Sequence, residues 1–338
     1  MTKRQLTKQQ RLRIKKNQLN ASAEIDMQQS SIEENPEEIR LEKLGTVIAS
    51  YGTQVDIEGT SSSKKILRRC HLRANLPTIV AGDKVTWIDH VDYGIVVAQH
   101  PRKTEICRPD DRGYLRAVAA NINRLAIVIA PYPKPHKNLI DRYIVASENQ
   151  SIKPLLIINK ADLIEKEDSK VFLSLMKKYG DLSYDHFLVS AEDGRGIEKL
   201  KSYLNNFTSV FVGQSGVGKS SLLNKLIPEI RVKVGNLSES KKKGIHTTTT
   251  SQLFHLSRGG SVIDSPGIRE FGLLHLEPDA IAKGFIEFLA YLGKCKYRNC
   301  SHQREIGCAL AMAVKTGKIE RERFNSYLHM INSIKKEK

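Results

Sequence analysis

Gly213-Gln-Ser-Gly-Val-Gly-Lys-Ser-Ser221 and, upstream of it, Asn159-Lys-Ala-Asp162 decide the fold between them. The first matches G-x-x-x-x-G-K-[ST]. Gly213 and Gly218 allow the loop, with Gln214, Ser215, Gly216 and Val217, to turn its backbone N–H groups around a β-phosphate. Lys219 then reaches the β/γ oxygens and Ser220 ligates Mg²⁺. A short apolar run precedes the loop and Ser221 continues at helical spacing, so the phosphates meet a helix N-terminus. The second segment closes another buried-strand pattern, 155–158. The Asp162 carboxylate can accept from both N–H groups on the Watson–Crick edge of guanine. Adenine has no such pair, so GTP is expected over ATP, with Asn159, Lys160 and Ala161 completing the grip.

Three further segments belong to the same chemistry. Ser190-Ala191 ends an apolar run and can support the base through its backbone. Asp264-Ser-Pro-Gly267 follows a strand-like segment; Asp264 would hold Mg²⁺ through water and the Gly267 N–H would meet the γ-phosphate. Gly244-Ile-His-Thr-Thr-Thr-Thr250 supplies hydroxyls where a switch must meet Mg²⁺ and the γ-phosphate, with Thr248 a candidate switch residue. Ordinary small GTPases carry the P-loop first and the base-reading pair last. Here the base-reading pair precedes the P-loop, which implies a circularly permuted GTPase built on a parallel sheet. Chain termini often lie close together, which makes such a permutation tolerable. The segment after Asp264 runs directly into the C-terminal region, so hydrolysis is expected to move that region.

Hydrolysis needs a group to orient water. A Gln directly after D-x-x-G does this in Ras-type enzymes, but Ile268 occupies that position and cannot hydrogen-bond. His246 is the nearest replacement, with a structural His the alternative; Lys219 remains the group on the transferred phosphate. Gly216 stands where potassium-activated relatives of tRNA-modification enzymes carry Asn, so no potassium requirement is indicated.

Cys295-x4-Cys300-x-His302-x5-Cys308 places three thiols and an imidazole at a spacing suited to tetrahedral Zn²⁺. Four protein ligands leave no position for water, so the metal is expected to be structural. Cys70 and Cys107 stand alone and read as ordinary thiols.

The 338 residues, 40% hydrophobic, support two or three domains with separate cores. Residues 1–42 read as a basic arm and acidic linker, the arm carrying Lys3, Arg4, Lys8, Arg11, Arg13, Lys15 and Lys16. Residues 43–112 break into short alternating runs with Gly turns, the pattern of a small β-barrel. An OB-fold is favoured and an SH3-like barrel is the alternative. Residues 113–273 hold the GTPase motifs and 274–338 the zinc ligands with helical runs after them. The fold class is therefore multi-domain α/β: barrel, permuted P-loop domain, zinc-binding helical domain.

A formal net charge of +17 calls for a polyanionic partner, nucleic acid first. Lys64, Lys65, Arg68, Arg69, His71 and Arg73 form a cluster that on an OB barrel could face RNA, a solvated surface being the alternative. Lys241-Lys-Lys243 is another beside the switch. The N-terminus lacks a signal-peptide core and no apolar run approaches membrane-spanning length, so a soluble, cytoplasmic protein is expected. No heptad argues for oligomers, and a monomer is expected.

The motif order, the G-x-H-T-T-T switch, the preceding barrel and the zinc spacing together resemble the RsgA (YjeQ) family of small-ribosomal-subunit-dependent GTPases, over roughly residues 45–310. The resemblance implies an assembly factor that binds the 30S subunit and its 16S rRNA late in maturation, is stimulated by the subunit, and leaves on GTP hydrolysis. It implies an OB barrel rather than another, one zinc on Cys295, Cys300, His302 and Cys308, and Mg²⁺ with GTP. Two other classes fit the residues alone: a GTP-switched module on tRNA or mRNA, and a zinc-stabilised scaffold that holds GTP without turnover.

Overall fold

The computed structural model describes residues 42–61, 64–110, 114–135, 138–164, 166–228, 251–264, 276–303 and 305–337. The N-terminal arm, the Lys241–Lys243 cluster, the switch with His246 and Thr248, and Gly267 lie outside the described residues.

Five strands form the barrel: β1 Glu42–Ser50, β2 Gln54–Ser61, β3 Lys64–Leu72, β4 Lys84–Asp89 and β5 Gly94–Gln99. β1, β2 and β3 pair antiparallel in sequence. β5 then lies parallel to β3 and antiparallel to β4, and β4 returns to β1. This closure is the five-stranded Greek key of the OB-fold, which excludes the SH3-like alternative. Period-two alternation places Val47, Val55, Ile57, Cys70, Val85 and Val96 inside, around Trp87 at 1% exposure. Gly59 and Gly94 make room for that indole: a Cβ on either would stand 2.8 or 2.9 Å from it. Burial pushes the Cys70 thiol up to about 12, which keeps it protonated and inert.

A hairpin, β6 Glu105–Pro109 and β7 Leu115–Ala120, follows the barrel. Arg102 fixes its root, donating to both oxygens of buried Asp83 at 2.8 Å and to Glu105.

The second layer system is a sheet in the order β10-β9-β8-β11-β13-β12, from β8 Arg124–Ile129, β9 Lys153–Ile158, β10 Asp185–Leu188, β11 Thr208–Val212, β12 Gln252–His255 and β13 Ser261–Asp264. All pairings are parallel except β12 on β13. Residues 125–129 and 155–158 are almost wholly buried, as strands covered on both faces must be. Helices α1 Leu139–Asn149, α2 Lys166–Asp181, α3 Ile197–Leu204 and α4 Lys219–Leu226 cover them. β12 also pairs with β1 at Ala49↔Gln252, so one eleven-stranded sheet runs from the parallel domain into the barrel.

The C-terminal region contributes α5 Pro278–Lys283, α6 Ala309–Lys315 and α7 Arg321–Glu337. α7 is fastened to α1 by Arg323, 1% exposed, which donates to Asp141 at 2.6 Å and, within the C-terminal region, to Glu287 at 2.7 Å over the ring of Phe285. The Tyr179 hydroxyl donates to the same Asp141 carboxylate. No helix among the described residues is long and apolar enough to cross a membrane.

Candidate functional site

Asn159 sits one residue beyond β9 at 1% exposure, and its side-chain amide joins three segments distant in sequence. Nδ2 donates to the carbonyl of Val217 in the P-loop at 3.0 Å, and Oδ1 accepts from the Ala191 N–H at 3.1 Å. The backbone N–H of Asn159 donates to Ile129 at the end of β8, and that of Ala161 to Val189. A buried amide with both functions satisfied is stiff, because losing either partner leaves a buried polar atom unpaired.

Asp162 turns back toward the Ser190-Ala191 loop, where Ser190 Oγ donates to Oδ1 at 2.5 Å. The same hydroxyl accepts from the N–H groups of Glu192 and Asp193, so its proton is committed to Asp162. The carboxylate is thereby fixed in rotation beside the Asn159 loop.

β11 delivers the P-loop. Gly213 adopts φ 140°, and a Cβ there would meet the Val128 carbonyl oxygen at 2.2 Å. Gly218 caps α4 at φ 90° and passes so near Asn159 that a Cβ would stand 2.4 Å from Nδ2. Both positions require glycine for approach as well as for backbone conformation. Val217 is fully buried and anchors the loop from below, while Gln214, Ser215, Gly216, Ser220 and Ser221 are half-buried or exposed at its mouth. Lys219 Nζ donates to the carbonyls of Gly213 and Gln214 at 2.7 and 2.6 Å, which holds the ammonium across the loop. Asp264 ends β13, the parallel neighbour of the strand that enters the P-loop, so its carboxylate lies on the phosphate edge of the sheet.

Two residues outside these motifs border the same site. The Lys160 ammonium donates to the Tyr132 carbonyl at 2.8 Å, and the Pro133 ring lies 3.5 Å from where a Cβ on Gly216 would stand. The Pro131-Tyr-Pro133 run just beyond β8 shows in the sequence only as a turn.

The thiols of Cys295, Cys300 and Cys308 and a ring nitrogen of His302 all lie within 4.8 Å of one another. Zn–S bonds of about 2.3 Å in a tetrahedron put sulfurs about 3.8 Å apart, so small side-chain shifts would let the four close on such an ion. His302 Nδ1 faces Cys295 Sγ at 3.4 Å and Cys308 Sγ at 3.5 Å, on a backbone held at φ 59°. Burial, with the adjacent thiols, pushes Cys300 up to about 12 and raises Cys308, while burial alone lowers His302. A bound dication reverses this balance for thiols and finds the imidazole already neutral.

Three cations of the β3 cluster are paired in the folded barrel. Lys65 pairs with Glu58 at 3.0 Å, Arg68 with Asp89 at 3.0 Å, and Arg69 with Asp56 while covering the Tyr51 ring. Cross-strand carboxylates on β2 and β4 neutralise much of this cluster, which a linear charge count does not register.

The chain matches the model of the RsgA GTPase family over residues 99–274. It is 50% identical to the small ribosomal subunit biogenesis GTPase RsgA of Ectopseudomonas mendocina (strain ymp), over 99% of this chain and 98% of that one. It is 48% identical, with the same coverage, to the protein of that name from Azotobacter vinelandii. Among solved structures it resembles YjeQ from Thermotoga maritima at TM-score 0.72 and 31% identity, over 87% of this chain and 99% of that one. YloQ, described as a circularly permuted GTPase, superimposes at TM-score 0.72 and 26% identity, over 90% and 99%.

Proposed function

This chain belongs to the RsgA GTPase family and is a circularly permuted GTP hydrolase, and from that premise we propose that it acts in late maturation of the small ribosomal subunit. In this reading it binds the 30S particle and 16S rRNA with GTP loaded, the subunit stimulates turnover, and hydrolysis releases it. The observation that carries the GTP part is the Asn159 amide, which ties the base-reading loop, the Ser190-Ala191 loop and the P-loop into one site. The subunit part is supported by the printed function of relatives about 50% identical over their full length.

The residues divide the work as follows. Asp162, oriented by Ser190, accepts from guanine; Asn159, Lys160, Ala161 and Ala191 shape the base slot. Residues 213–221 cradle the phosphates, with Lys219 countering charge on the β/γ oxygens as it develops. Mg²⁺ accompanying GTP would neutralise phosphate charge, held by Ser220 and Asp264, while Gly267 meets the γ-phosphate. His246 places the attacking water and Thr248 serves the switch. One structural zinc is held by Cys295, Cys300, His302 and Cys308. The chain is divided at residues 42, 112 and 273, and works as a cytoplasmic monomer.

Turnover of GTP measured alone and with 30S subunits, 50S subunits or free RNA tests this. Acceleration by 30S alone is expected, and Lys219→Ala should abolish it. Equal acceleration by any RNA, or none by 30S, would overturn the ribosomal assignment.

A further inference from the structure

We infer that Tyr132 and Pro133 are positioning residues of the nucleotide site, setting affinity through the Lys160 side chain. The inference rests on the GTP-binding reading above. The chain leaving β8 passes between the two halves of the site. The Val128 carbonyl oxygen abuts Gly213 on the phosphate side, and the Ile129 carbonyl accepts from Asn159 on the base side. Three residues later the same strand exit reaches both halves again. The Tyr132 carbonyl holds the Lys160 ammonium at 2.8 Å, and the Pro133 ring stands against Gly216.

Lys160 needs such a hold. Its backbone is left-handed at φ 60°, a conformation that costs a lysine free energy and persists only where neighbours impose it. Its side chain runs over the P-loop, with Cε 3.8 Å from the Cβ position of Gly218, before ending on Tyr132. The stem therefore bridges the base loop and the phosphate loop, and the carbonyl at its far end keeps it extended. Prolines on both sides of Tyr132 narrow the backbone choices that aim this carbonyl. Further along, the Asn138 side chain accepts from Ser326 of α7 at 2.7 Å, which secures the start of α1.

The test is a double-mutant cycle read by GDP affinity and by GTP turnover at saturation. Pro133→Gly should weaken GDP binding about fivefold by loosening the carbonyl, with saturated turnover within about twofold, a binding effect without a chemical one. In a Lys160→Met background, which has no ammonium to hold, the same substitution should cost less than about twofold. Lys160→Arg should restore the dependence on Pro133. Should Pro133→Gly fail to fold, Pro133→Ala replaces it in the same cycle with a smaller effect in the same direction. Equal losses in both backgrounds, or no loss in either, overturn the inference while leaving GTP binding intact. Absence of GDP binding by the unaltered protein would instead defeat the reading on which it rests.

Discussion

Asn159 and Gly213 illustrate how single residues set the site's precision. Asn159 spends both ends of one amide on partners that lie in different loops, so neither loop can shift without breaking a buried hydrogen bond. Gly213 allows the P-loop to leave β11 in contact with the Val128 carbonyl, where a methyl group would intrude at 2.2 Å. Gly213→Ala should therefore destabilise the fold by about 1–3 kcal/mol in urea titrations and abolish GDP binding in calorimetry. These residues are legible in the sequence because phosphate and guanine chemistry demand their types at fixed spacing. Tyr132 is not, because it acts through a backbone carbonyl that any residue possesses. The ion pairs of the β3 cations are hidden for a related reason: their charges are visible in the sequence, whereas Glu58, Asp89 and Asp56 become their neighbours only in the folded barrel.

Elements were legible where periodicity is strong and less so where pairing is long-range. The helical runs after the zinc ligands form α6 and α7. α3 starts at Ile197 and leaves out Gly194 and Gly196, whose φ of 86° and 70° cannot lie inside a helix. Distinguishing OB from SH3-like needed the parallel β3–β5 pair, and the β1–β12 junction has no local signature. The attachment of α7 through Arg323 was equally hidden. It bears on the expectation that hydrolysis moves the C-terminal region: Arg323 ties α7 to α1 through Asp141. Arg323→Met would leave two carboxylates buried without their cation, and should cost about 3–5 kcal/mol in equilibrium denaturation.

Across the whole molecule, one continuous sheet links the barrel to the GTPase domain, and the helices of the C-terminal region link the zinc ligands to it. The metal should contribute folding energy to the region that holds it. Stripping zinc with a chelator should lower the thermal midpoint by about 5 °C, restored by Zn²⁺ and not by Mg²⁺. An unchanged midpoint would remove the metal from the account. The central claim concerns the single guanine pocket assembled from permuted segments. It is tested most directly by calorimetric affinities for GDP, ADP and xanthosine diphosphate, measured on the unaltered protein and on Asp162→Asn. The carboxylate accepts from two guanine N–H groups, whereas an amide can donate to the 2-oxo group of xanthine. The account predicts that GDP binds most tightly to the unaltered protein and that Asp162→Asn shifts preference toward the xanthine nucleotide by on the order of 100-fold. Equal binding of GDP and ADP, or an unchanged preference in Asp162→Asn, would contradict it.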